Sequence, residues 1–236
     1  MNVELTADDL LILNRHALVA RVLSGTTHEV NNALQIIGGS AELLSRSPAG
    51  AEAARRAADR VQSQSARAAA TVDALLQFAR AREDAAARVS LKDVVVASLA
   101  LRAYALRRAG LAVAFDAATA PTALVLGNPA RLQQAILNLI VNAEQALAGR
   151  TDGKLSLELR EEAASAHLVI LDNGPGLDPS IADHVFEPFV TTRPTPDSVG
   201  LGLAAARLVA RRHGGDVELR STPAGCAAIV RLPLAT

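Results

Sequence analysis

From Ile12 the chain sets apolar residues at Ile12, Val19, Leu23, Val30, Leu34, Ile37, Ala41 and Leu44. Spacings built from threes and fours predict a long helix. A second stripe, Leu11, Leu18, Val22, Ala33, Ile36 and Leu43, runs beside the first. Together they form an apolar arc wider than a single coiled-coil seam needs, so this helix is expected to touch more than one neighbour. The pattern stops at Ser47-Pro48-Ala49-Gly50, a turn by composition. A second helix is predicted over about residues 51–82, with Ala57, Val61, Gln64, Ala68, Val72, Leu75 and Ala79 as its inner stripe. Two helices joined by a short turn make an antiparallel hairpin. One hairpin cannot cover so wide an arc, so two copies are expected to pair as a four-helix bundle, making the protein a homodimer.

After a charged stretch at residues 81–88 the texture changes. Helical patterns over 91–109 and 129–148 alternate with strand-like runs at 111–115, 124–126, 155–160, 167–171, 216–220 and 227–232, with a further helix over 203–213. This interleaving predicts a helix layer on a mixed sheet. The fold class is therefore α+β. Residues 1–86 are expected to form the hairpin domain and residues 87–236 an α/β sandwich.

Composition narrows the function classes. Lys plus Arg and Asp plus Glu number 24 each, and no basic run is present, which argues against a nucleic-acid partner. Aromatics make up 2% of the 236 residues, so the cores must be built from Leu, Val, Ile and Ala. The single cysteine, Cys226, excludes a disulfide framework and predicts a buried, inert thiol. The start, MNVELTADDL, has no basic region before an apolar core, and no apolar run approaches the ~18–20 residues of a membrane span. No membrane insertion and a cytoplasmic location are expected.

The candidate chemistry begins at His28-Glu29-Val30-Asn31-Asn32. At about 100° per residue, His28 falls about 160° from Val30, on a face with Asn32 and Gln35 that points away from the inner stripe. A neutral imidazole is a competent nucleophile near pH 7. A carboxylate such as Glu29 can orient the ring and accept its proton. Alone, the pair reads more readily as a solvent-facing histidine; the downstream residues reverse that. Asn138 and Asn142, four apart, share a helix face and could meet a hydrated Mg²⁺ and phosphate oxygens. Asp172-Asn173-Gly174-Pro175-Gly176 ends an apolar run with one acid in a glycine-lined turn, where it could accept a hydrogen bond from an amino group such as that of adenine; such residues also suit a plain strand-ending turn. Phe186-Glu187-Pro188-Phe189-Val190-Thr191-Thr192-Arg193 leads to Gly200-Leu201-Gly202-Leu203 at a helix start, where backbone amides can hold phosphates.

In this order, after a helical hairpin bearing a histidine, these segments resemble the bacterial two-component sensor histidine kinases over nearly the whole chain. His28-Glu29 looks like the phosphoacceptor box, Asn138 to Ala146 the asparagine box, and Asp172 to Gly176 the first glycine box. Phe186 to Phe189 looks like the phenylalanine box and Gly200 to Leu203 the second glycine box. The resemblance implies a dimeric phosphotransfer hairpin followed by a Bergerat-type sandwich that binds ATP and Mg²⁺. His28 would be phosphorylated, with Glu29 its activating acid and Asn32 a positioner of water for dephosphorylating the partner. Asn142 would ligate Mg²⁺, with Asn138 near the phosphates. Asp172 would read adenine beside Gly174 and Gly176. Gly200, Leu201 and Gly202 would hinge a lid, with Thr192 and Arg193 close to ATP. The implied partner is the receiver domain of a response regulator.

Departures from the family pattern are Ala33 where proline is common, Asn128 for aspartate, Gln145 for lysine, Ser198 for the first lid glycine, and one glycine rather than two at Gly225-Cys226-Ala227. Gyrase- and Hsp90-type hydrolases carry a water-activating glutamate where this chain has Asn138, which favours transfer to a side chain. The alternative is a phosphotransferase or scaffold with a non-catalytic ATP-binding domain. P-loop and serine/threonine kinase motifs are absent. The 27 residues ahead of His28 read as helix, so input is expected through a partner or the nucleotide state, or from a longer form of the chain.

Overall fold

The computed structural model describes residues 6–46, 50–80, 86–192 and 199–235. The predicted turn at Ser47-Pro48-Ala49 and residues 81–85 of the charged stretch lie outside the described residues. The chain forms two compact units, one of residues Val19–Arg80 and one of residues Ala81–Thr236 joined by the first eighteen.

Helix α1 spans Ala7–Arg46 and α2 spans Ala51–Arg80. At the start of α1, Asp9 N–H donates to Thr6 Oγ1 (3.2 Å) while Thr6 N–H and hydroxyl donate to Asp9 Oδ2 (3.1 and 2.6 Å), a reciprocal cap that satisfies donors with no partner inside the helix. The helix continues unbroken through Ala33, as expected without proline. Burial divides the two-stripe arc. Leu11, Leu18, Val22 and Ala33 are buried, whereas Ile12, Leu23, Leu34 and Leu44 of the first stripe are exposed. Within one chain, then, the second stripe is buried as far as Ala33 while its Ile36 and Leu43 are exposed, and Val19, Val30 and Ile37 of the first stripe are half-buried. On α2, Leu75 is buried as expected, Val72 is exposed, and Phe78, outside the predicted stripe, is buried.

The second unit runs β1 (Ala87–Ser90), α3 (Leu91–Arg108), β2 (Ala112–Ala114), β3 (Leu124–Gly127), α4 (Pro129–Ala146), β4 (Lys154–Glu162), β5 (Ser165–Asp172), a 3₁₀ turn (Pro179–Ile181), α5 (Gly202–Arg212), β6 (Asp216–Thr222) and β7 (Gly225–Pro233). Five strands form one sheet in the order β2-β4-β5-β7-β6. The β2–β4 pair is parallel and the others antiparallel. A separate antiparallel pair joins β1 to β3. Helices α3, α4 and α5 pack together, with α4 against β5 and α5 against β6 and β7. This is the expected helix layer on a mixed sheet.

Local chemistry sets the helix starts. Ser90 Oγ accepts from Asp93 N–H at 3.2 Å to cap α3. Asn128 Oδ1 accepts from Arg131 N–H at 3.0 Å to cap α4, followed by proline in the first turn. Asparagine thus serves the cap that aspartate would have served. Leu132, Ile136, Leu139 and Ile140 of α4 are fully buried, each contributing roughly 1.5–3 kcal/mol of burial free energy. Arg102 of α3, 4% exposed, makes a bidentate ion pair with Glu144 of α4. Among the described residues no helix is long and apolar enough to cross a membrane.

Candidate functional site

The predicted residues divide between the two units. His28, Glu29 and Asn32 lie on α1 within Val19–Arg80. His28 and Asn32 are exposed, as the helical phase required. Glu29 is largely covered, because Arg67 of α2 reaches across the hairpin and donates Nε and Nη2 to Glu29 Oε1 at 3.0 and 2.7 Å. The carboxylate beside His28 is therefore held in place by a cation that sequence spacing alone did not single out.

In the second unit, strand β5 alternates strictly. Ala166, Leu168 and Ile170 are buried, and Asp172 continues that row at the strand end. The two-residue period thus carries an acid to the inner side of the sheet, where it is 4% exposed. Its Oδ1 accepts from Gly174 N–H at 2.8 Å. A Cβ on Gly174 would sit 2.7 Å from that oxygen and 3.2 Å from Ala146 at the end of α4. Gly225, in β7 opposite this end of β5, has φ +148°, and a Cβ there would lie 2.1 Å from the Asp172 carbonyl oxygen. Backbone thus packs directly beneath the aspartate, which explains the one glycine kept at this place. Cys226, paired in register with Asp172, is buried. Burial, aided by the Asp172 charge, pushes its thiol up to about 11, as suits an inert cysteine.

The chain just before α5 is tied back to Phe189. Phe189 N–H donates to Gly200 O at 2.9 Å, joining the two ends of residues 190–199. A Cβ on Gly200 would lie 2.7 Å from the Phe189 carbonyl carbon, so the closure admits no side chain there. Phe189 itself holds φ +68°, a strained conformation for a bulky residue of a kind that clusters at functional segments. Among the described residues no side chain caps the start of α5 at Leu201, leaving amides suited to phosphate oxygens. Thr192 is exposed; Arg193 and Ser198 lie outside the described residues. Phe186 packs under Arg207 of α5, whose guanidinium lies 4.4 Å from the ring centroid. Arg207 is held by Asp216 at 2.8 and 3.1 Å, and this bonding lowers the Asp216 pKa to about 2.

The asparagine pair differs from the expectation. Asn142 is half-buried, but Asn138 is 4% exposed and is not aimed out into an open cleft. Its Nδ2 donates to Asn14 Oδ1 (2.8 Å) and to the Gln134 carbonyl (3.0 Å), and its Oδ1 accepts from Asn14 Nδ2 (2.8 Å). Gly202 stands against it, with a Cβ position 3.2 Å from Asn138 Oδ1. The sequence reading missed Asn14. A signal was present: Asn14 falls between Leu11 and Leu18 at helical spacing, a polar residue inside the buried stripe.

The chain thus joins a histidine-bearing hairpin to a helix-on-sheet unit with an acid at a glycine-lined strand end. Residues 18–84 match the His Kinase A (phospho-acceptor) domain. Residues 127–236 match the histidine kinase-, DNA gyrase B- and HSP90-like ATPase family. The chain belongs to the two-component sensor histidine kinases. It is 32% identical over 229 residues to the C4-dicarboxylate transport sensor protein DctB of Rhizobium meliloti (strain 1021), matching 95% of this chain and 36% of that protein. The chain thus spans about a third of that relative's length. The catalytic domain of histidine kinase ThkA aligns with 65% of this chain over its whole length, with TM-score 0.58 and 21% identity. A structure of ThkA in complex with response regulator protein TrrA aligns with 94% of this chain and 63% of its own, with TM-score 0.54 and 18% identity. These structures share its fold.

Proposed function

We propose that the chain is a protein-histidine kinase. It breaks the β–γ phosphoanhydride of ATP, forms a phosphorus–nitrogen bond at His28, and passes the phosphoryl group to an aspartate of a response regulator receiver domain. The observation that carries this reading is an exposed His28 beside a fixed Glu29, inside the phosphoacceptor match, in a chain that also carries the ATPase domain. Glu29 would take the imidazole proton as the new bond forms. Asn138 offers a carboxamide where a hydrolase needs a base, which supports transfer to a side chain over attack by water.

Asp172 would accept the adenine amino hydrogen, and the α5 start with Gly200, Leu201 and Gly202 would face the phosphates. Thr192 and Arg193 would complete the lid. Asn142 is suited to Mg²⁺, because this ion keeps waters and phosphate oxygens as ligands and needs only one or two from protein. Among the described residues no cluster of three or more His, Cys, Asp or Glu could form an all-protein cage. The ion, when bound, would neutralise charge on the transferring phosphate.

The exposed apolar residues Leu23, Leu34, Ile36, Leu43 and Leu44 of α1, with Val72 and Leu76 of α2, support homodimerisation through the hairpin, since exposed apolar faces of this kind mark interfaces. We assign residues 1–86 to dimerisation and phosphotransfer and 87–236 to catalysis, and place the reaction in the cytoplasm. The ThkA–TrrA complex supports the receiver as partner. Asn32, exposed four residues after His28, is suited to position water for dephosphorylating it. Titration calorimetry with Mg²⁺ and ATP tests the reading. The parent binds, and Asp172→Asn weakens binding by about 10–150-fold, as for loss of a hydrogen bond to a charged group worth about 1.5–3 kcal/mol. A parent chain that binds no ATP overturns the kinase reading in favour of a phosphotransfer scaffold.

A further inference from the structure

The first turns of α1 are part of the ATP-binding unit. Leu10 and Leu11 join its hydrophobic core, and Asp8 pairs with Arg212 of α5 at 2.6 Å. Between them sits a closed set of three buried carboxamides. Asn14, Gln134 and Asn138 are 4%, 1% and 4% exposed. Asn14 and Asn138 bond reciprocally at 2.8 Å. Gln134 Nε2 donates to Asn14 Oδ1 and to the Leu11 carbonyl, both at 2.8 Å, and its Oε1 accepts from Arg131 at 3.2 Å. Among the described residues no buried side-chain polar atom lacks a partner. Both amide hydrogens of Asn138 are thus committed, one to Asn14 and one to its own helix.

We propose that residues 7–18 act as an intramolecular ligand of the ATP-binding unit and compete with Mg·ATP for Asn138 through Asn14. The inference rests on the reading of Asn138 as a nucleotide-site residue. To turn its carboxamide toward phosphate, Asn138 must release Asn14. Asn14, still docked, would then be a buried polar group short of partners, which favours its departure. The coupling is reciprocal: nucleotide loosens the segment, and whatever draws the segment away tightens nucleotide binding. Because the segment is continuous in α1 with His28, a signal reaching the helix start would act on ATP affinity.

The full chain and two variants, Asn14→Ala and Leu11→Lys, are titrated with Mg²⁺ and β,γ-imido-ATP. Hydrogen exchange is followed over residues 7–18 with and without the nucleotide. Nucleotide should speed exchange in this segment of the parent. Both variants should bind the analogue about 5–150-fold more tightly, the usual range of coupling between sites, and should exchange rapidly without it. Equal affinity in parent and variants with unchanged exchange overturns the competition while leaving the ATP-binding reading intact. Weaker binding by the variants assigns the carboxamides a supporting role and also overturns it. Absence of binding in the parent and both variants sinks the ATP-binding reading, and this inference with it.

Discussion

Replacing Gly225 with alanine puts a methyl carbon where the backbone beneath Asp172 already stands. The Cβ would lie 2.1 Å from the Asp172 carbonyl oxygen and 2.8 Å from both Asn173 Cα and Gly174 N. A carbon–oxygen contact needs about 3.3 Å, so β5 and β7 must part by about 1.2 Å at the strand end that presents the aspartate. Forcing apart a packed junction costs about 1–3 kcal/mol, and holding alanine at φ +148° adds about 1–3 kcal/mol. A total of about 2–6 kcal/mol corresponds to a fall in melting temperature of about 4–24 °C for a chain of this size. Gly149→Ala is the control. Its φ is +80°, yet among the described residues nothing lies within 4 Å of the added carbon, so it incurs the conformational cost alone, about 1–2 kcal/mol. Scanning calorimetry with and without Mg·ATP reads both effects. Gly225→Ala should melt well below Gly149→Ala and lose most of the stabilisation that ATP gives the parent. Equal melting temperatures for the two variants, with equal ATP response, would refute the view that Gly225 is there to seat Asp172.

Two further outcomes follow from charged pairs. Glu144→Ala strips the carboxylate from the buried guanidinium of Arg102 and should lower stability by about 3–5 kcal/mol in denaturant titration; a loss below about 1 kcal/mol would contradict burial of the pair. Asp216 has its pKa lowered from 3.8 to about 2, chiefly by Arg207. Its contribution is therefore present above about pH 4 and disappears as pH falls toward 2. The carboxylate is about half exposed, so solvent screening holds this contribution to about 1 kcal/mol or less. Melting curves should show the parent losing its advantage over Asp216→Asn between pH 4 and pH 2; an advantage constant across that window would refute the pairing.

Much of this architecture was legible along the chain because it is local. Six predicted strands and five predicted helices correspond to elements of the fold, since their periodicity, caps and bounding glycines act within a few residues. Strand β1 was not legible: Ala87–Ser90 is four residues long, adjoins a charged stretch, and is a strand only through its pairing with distant β3. The division of burial along α1 was not legible for a related reason. Two stripes of similar apolarity are present, and only the partners decide between them. The motif residues Asp172, Gly174, Gly200 and Gly202 occupy places that their residue types explain. The partners that hold the site could not be read from spacing, because Arg67 is 38 residues from Glu29 and Asn14 is 124 residues from Asn138.

Transfer of the γ-phosphoryl group to His28 is tested most directly by incubating the chain with Mg²⁺ and γ-labelled ATP. Acid-labile, base-stable label should appear on the parent and be absent from His28→Ala. Label persisting in His28→Ala, or bound ATP with no label on the parent, would contradict the account.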